Sequence, residues 1–208
     1  MTTAKRVAWR SAAALSVLLA APQARAYSSS QQAAADKRDI GFLLRMGFDF
    51  GGDKLAEVRW SDGSTDTLKA GQLISFNAGA LYHPDAQWAL EGTLGYKFDK
   101  VNGSNGSIEF TRIPLDVIVA YANGGHRIGG GAAVHFSPTF TCDAGGVCNA
   151  TASFDTAFGA IVQYAYGLRV GVNGGFDFGA RYTFIRYIGG GLPTLDGSGF
   201  GFFFGGWL

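Results

Sequence analysis

The sequence predicts an all-β fold, an eight-stranded antiparallel barrel, and three observations carry that reading. From Trp88 to Phe98 the even positions hold Trp88, Leu90, Gly92, Leu94, Tyr96 and Phe98, while the odd ones hold Glu91, Thr93, Gly95 and Lys97. Alternation of period two over that length marks a strand with one apolar and one polar face. The same split recurs along the chain, up to Phe200, Phe202, Phe204, Gly206 and Leu208. Hydrophobic residues make up 47% of the 208 residues, with 32 Gly, 17 Phe and 8 Tyr, yet no helix-period segment follows residue 36. A soluble layered fold usually carries such helices.

The first 26 residues read as a cleavable export signal. Lys5, Arg6 and Arg10 precede a short apolar core from Ala12 to Ala21, and Ala24-Arg25-Ala26 supplies the cleavage site. That core falls short of the roughly 20 residues a spanning helix needs. The signal holds four basic residues and no acid, so its loss turns the formal charge of +1 into −3. A mildly acidic chain has no electrostatic reason to bind nucleic acid. Residues 27–38, rich in Ser, Gln and Ala, read as a disordered periplasmic leader. The barrel is then 39–208.

The first strand sets Ile40, Phe42, Leu44, Met46, Phe48 and Phe50 against Arg45 and Asp49. After Gly51-Gly52, the Asp62-Gly63 turn lies between two extended runs and signals a tight hairpin. The second strand carries Ile74, Phe76, Ala78, Ala80 and Tyr82 opposite Ser75, Asn77 and Gly79. A short turn at 83–86 leads to the third strand, 88–99, and the Asn-Gly pairs of 101–106 form a loop. Parity then reverses: Thr111, Ile113, Leu115, Val117, Val119 and Tyr121 oppose Arg112 and Asp116. The fifth strand has Ile128, Gly130, Ala132, Val134 and Phe136 against His135 and Ser137. The sixth sets Phe154, Phe158, Ala160, Val162 and Tyr164 against Asp155 and Gln163. The seventh sets Phe176, Phe178, Ala180, Tyr182 and Phe184 against Asp177, Arg181 and Thr183. The eighth runs from Phe200 onward.

An even strand number, with longer and shorter connections alternating, suits a barrel that crosses the outer membrane with short periplasmic turns. Strands one and two would then form one hairpin projecting past the membrane. A soluble lipocalin-like barrel inverts the pattern, with apolar residues inside. Against it stand the small Gly41, Gly47, Gly79 and Gly95 mixed with charges on the polar face, and the uncovered apolar last strand. Aromatics near strand ends, at Tyr82, Trp88, Phe98, Tyr121, Phe140 and Tyr164, read as an interfacial girdle. Over 39–208 the chain resembles the small eight-stranded Gram-negative outer-membrane barrels of the OmpA transmembrane-domain and OmpW type. The resemblance implies that Phe200, Phe202, Phe204, Trp207 and Leu208 form the ending read by the barrel-assembly machinery. Members usually finish on an aromatic residue, whereas here Leu208 follows Trp207. Membrane lipid and that machinery are the partners implied; any extracellular ligand is unspecified.

The expected interior network is Arg45, Asp49, Glu91, Lys97, Arg112, Asp116, His135, Asp155 and Arg181, with Ser75, Asn77, Thr93, Gln163 and Asp177 beside them. Eight strands leave an interior that side chains can fill. Charges buried there must pair. The expectation is therefore a salt-bridged plug, with a narrow ion path through the same residues as the alternative.

His135-Phe136-Ser137 resembles the His and Ser of outer-membrane lipid A deacylases, where such a pair with an acid hydrolyses an acyl chain. Pro138 stands where that family has Asn, no Glu follows Glu109, and parity puts His135 and Ser137 together on the interior face. The expectation is a non-enzymatic chain. Cys142 and Cys148 lie in one loop of an exported chain and read as a disulfide. Two thiols without a nearby His do not make a metal site, and Gly129-Gly130-Gly131 lacks the Lys of a phosphate loop. No cofactor is expected. Function is assigned to the extracellular loops, above all the 51–70 hairpin and the cysteine loop, as a binding or adhesion surface.

Overall fold

The computed structural model describes residues 39–59, 65–71, 73–103, 106–144, 148–170 and 174–208. The export signal and leader lie outside these residues. The described strands are β1 (Asp39–Gly51), β2 (Lys54–Arg59), β3 (Thr65–Lys69), β4 (Leu73–His83), β5 (Trp88–Gly103) and β6 (Gly106–Asn123). They continue with β7 (His126–Ala144), β8 (Cys148–Ser153), β9 (Ala157–Val170), β10 (Gly174–Tyr187), β11 (Leu195–Asp196) and β12 (Gly199–Trp207).

Eight of them close an antiparallel barrel in the order β1, β4, β5, β6, β7, β9, β10, β12 and back to β1. The seam is sealed where Phe42 and Leu208 exchange backbone hydrogen bonds of 2.8 and 3.0 Å. Closure satisfies every ladder and leaves no open edge inside a bilayer. Register follows from alternation. Ala78 pairs with Leu44 on one side and Leu94 on the other, all facing outward, and Arg45, Asn77 and Gly95 line up facing inward. The outer wall is an apolar belt that includes Phe42, Leu44, Leu94, Val119, Val162, Phe178 and Phe204, all exposed.

The hairpin of β2 and β3 forms a separate two-stranded sheet and does not continue the barrel ladder. At the same end of the barrel, β5, β6 and β7 run past the belt, and β8 folds back along β7. The Cys142–Cys148 disulfide closes that turn.

One irregularity changes the expected parity. Thr111 pairs with Thr139, but Ile113 pairs with Phe136, so Ser137 and Pro138 together oppose Arg112. This is a β-bulge, and Ser137 takes φ +48°, the left-handed conformation such bulges use. His135 stays inside and buried, while Ser137 is exposed and Pro138 buried. Ser137 is therefore not on the interior face with His135, correcting the sequence reading.

Candidate functional site

The barrel interior holds the titratable residues in stacked layers. In the layer nearer the periplasmic turns, Arg45 bridges two carboxylates. Its Nε donates to Asp177 Oδ2 (3.1 Å) and its Nη2 to Glu91 Oε2 (2.9 Å). Arg127 Nη2 reaches the same Asp177 oxygen at 2.6 Å, and Gln163 Nε2 donates to both Glu91 oxygens at 3.3 Å. In the middle layer Arg181 plays the bridging part. It pairs with Asp49 Oδ2 at 3.0 Å and with Asp116 Oδ2 at 3.4 Å, and donates to Ser75 Oγ at 3.2 Å. Lys97 Nζ also meets Asp49 Oδ2, at 3.1 Å. Above lie Arg112, Asp99 and His135, whose Nδ1 is hydrogen-bonded to the Tyr187 hydroxyl at 2.7 Å. Arg112 also sits over the Phe110 ring, 4.7 Å from its centroid. All these side chains are buried.

Each layer is close to charge-neutral, as buried ions require, since an unpaired one costs several kcal/mol. The wall makes room for the long side chains by omitting its own. A Cβ on Gly201 would lie 2.0 Å from Asp49 Oδ1, so only glycine leaves space there for the carboxylate.

Both ends of this polar column are closed by apolar groups. At the periplasmic end Leu81, Ala89 and Ala120 pack together, and Leu43 and Phe203 are buried beside Arg45. The Arg45 guanidinium stacks on Phe203 at 4.4 Å. The Trp207 ring turns inward over Gly41, Gly167 and Gly175, 5.8 Å from the Arg127 guanidinium. At the extracellular end Leu68 and Ala70 insert from the hairpin among Phe110, Phe154, Ala157, Ile185 and Tyr187, all buried.

Of the expected network, Arg45, Asp49, Glu91, Lys97, Arg112, Asp116, His135 and Arg181 are buried together inside the barrel. Asp155 is not: β9 starts only at Ala157, and the Asp155 side chain is exposed beside the loop at Ile188–Gly189. Phe154 and Phe140, expected on the outer face, instead belong to the inner apolar cluster. Arg127 and Tyr187 fall just outside the strand runs that the alternation picks out, so the sequence reading names neither. Counting back one position from outward Ile128 finds Arg127. Asp196, outside the membrane span, accepts the backbone N–H of Ser198 at 2.9 Å. The Ser198 hydroxyl and backbone hydrogen bonds hold its carboxyl below the ordinary carboxylate range.

A closed antiparallel barrel with an apolar outer belt and ion pairs within defines an integral outer-membrane β-barrel protein. Its place is the bacterial outer membrane, in contact with lipid. No protein-family model and no curated protein sequence matches the chain. Among solved structures it is similar to the outer membrane protein OprG from Pseudomonas aeruginosa, at 13% identity and a TM-score of 0.49, covering 83% of this chain and 95% of that one. It is also similar to Ail, the attachment invasion locus protein of Yersinia pestis, at 16% identity and 0.46, covering 81% and 97%. A third is Neisserial surface protein A, at 13% identity and 0.46, covering 81% and 94%.

Proposed function

We propose that the chain is a closed, non-enzymatic barrel that holds its extracellular segments at the cell surface as a binding or adhesion platform. The observation that carries this is the interior, where neutral ion-pair layers stack between two apolar seals. A conducting path needs a continuous lumen that ions or water can enter, and an interior packed with buried, paired side chains between apolar seals argues against one. The separation of His135 from Ser137 by the bulge takes away the geometry a Ser–His hydrolase needs, because base and nucleophile must lie within hydrogen-bond reach. The outward Phe200, Phe202, Phe204 and Leu208 support reading the last strand as an assembly signal, with Trp207 serving the interior instead.

Two measurements test this reading. In planar bilayers the purified protein gives no stable single-channel steps; steps that vanish in Asp116→Asn would make it a narrow pore. Replacing 52–71 with a short turn leaves a folded barrel on unheated gels but abolishes cell attachment to coated surfaces. Undiminished attachment would remove the hairpin from the platform.

A further inference from the structure

The hairpin of β2 and β3 contributes to the extracellular seal without belonging to the barrel. Its residues Leu68 and Ala70 are 0% exposed, as deeply placed as any wall residue. Yet among the described residues no backbone ladder joins β2 or β3 to a barrel strand. The connections at each end are glycines in close contact. Gly51 and Gly52 have φ +126° and +78°, and a Cβ on Gly52 would lie 2.2 Å from Gly71 N. Glycine lets the two backbones cross in contact and accepts φ values that other residues avoid, so both ends of the segment lie at conformationally permissive positions.

Polar links among the described residues fasten the segment. Ala70 N–H donates to Asp53 O (2.9 Å), and Lys97 Nζ donates to Gly71 O (3.1 Å). Asp99 accepts the Lys69 backbone N–H. Asp53 and the β11 loop hold each other twice: Asp53 N–H donates to Asp196 O, and Asp196 N–H to Asp53 Oδ2, each at 2.7 Å. Most of these links end on backbone atoms of the segment, so they fix its position rather than a side-chain identity.

We infer that β3 with Ala70 and Gly71 is a hinged stopper, seated in the extracellular mouth and released as a unit while the barrel stays folded. Lifting it uncovers a cup walled by Phe110, Phe154, Ile185 and Tyr187. The cup ends on the layer of Arg112, Asp99 and His135, so release opens a recess and not a pore. A unit outside the barrel ladder opens locally, before global unfolding. Lys97 serves both structures, since it pairs with Asp49 in the network and holds Gly71 in the stopper.

The test uses the full protein in lipid vesicles with its disulfide intact and one added thiol. L68C is labelled with a membrane-impermeant maleimide and compared with I118C, which is buried in the barrel wall layer. Expected is labelling of L68C at least about tenfold faster than I118C, on protein that still migrates as a folded barrel. Adding Asp53→Ala, an exposed change outside the barrel strands, raises the L68C rate about five- to tenfold, the factor one lost hydrogen bond gives, and leaves I118C unchanged. Because L68C itself loosens the packing, hydrogen exchange of the 65–70 amides in the unaltered chain is read alongside and shows the same local opening. Equal labelling of the two thiols, an L68C rate unmoved by Asp53→Ala, or 65–70 amides that exchange only with the wall strands would each overturn the inference.

Discussion

The two mouths of this barrel are sealed by the same chemistry attached in different ways. At the periplasmic end the apolar residues Leu43, Leu81, Ala89, Ala120 and Phe203 project from barrel strands themselves. Each is fixed by the ladders on both sides of its strand, so that seal cannot move unless the wall comes apart. At the extracellular end Leu68 and Ala70 arrive on a separate hairpin, and Phe154 on the link between β8 and β9. Burial alone does not distinguish these seals; backbone attachment does. A core residue's burial reports the closed state, while its ladder reports how much else must break to expose it.

The largest effect is expected between the seals. Arg181→Ala leaves Asp49 and Asp116 short of a partner in a buried layer, which costs about 3–5 kcal/mol. Urea unfolding followed by gel mobility reads that loss. Next comes the direct contrast between the mouths. Leu43→Ala lowers the barrel's unfolding free energy by about 2–5 kcal/mol, as for a fully buried leucine. Leu68→Ala, at equal burial, moves that midpoint far less and instead speeds exchange of the 65–70 amides. Equal shifts in the two midpoints would break the comparison. Reducing the disulfide, which closes a six-residue separation, removes about 2 kcal/mol from the β7–β8 turn by loop entropy. Exchange there rises while the barrel midpoint holds.

The smallest effect concerns pH. The Asp196 carboxyl is held below its ordinary value in the folded state, so the stability it adds is present above about pH 4. That contribution is lost as pH falls through the lowered folded value. Because Asp196 is exposed, solvent screening keeps the effect small, visible as faster exchange near 196–198 in acid.

Within the belt the fold was legible because one face meets lipid and the other meets charge, so parity can be counted from residue to residue. That counting gives Arg45, Asp49, Glu91, Lys97, Arg112, Asp116 and Arg181 their inward positions. It failed where the two-faced environment ends. Above the belt both faces can be apolar, and Phe140 and Phe154 then look like lipid-facing residues although they pack into the mouth. It also failed at Ser137, where an extra residue resets the parity. Pro138 was the available signal, since a proline inside a paired strand favours a bulge. Partners within a layer depend on register across strands, which no single strand's pattern contains.

The central claim is that the paired layers, and not the hairpin, close the barrel to ions. Conductance of the protein carrying Asp53→Ala and Leu68→Ala together tests it most directly. With the stopper loosened, the bilayer current stays at baseline, as it does for the unaltered chain. Stable unitary steps in the double variant would contradict the account and make the hairpin the gate of an ion path.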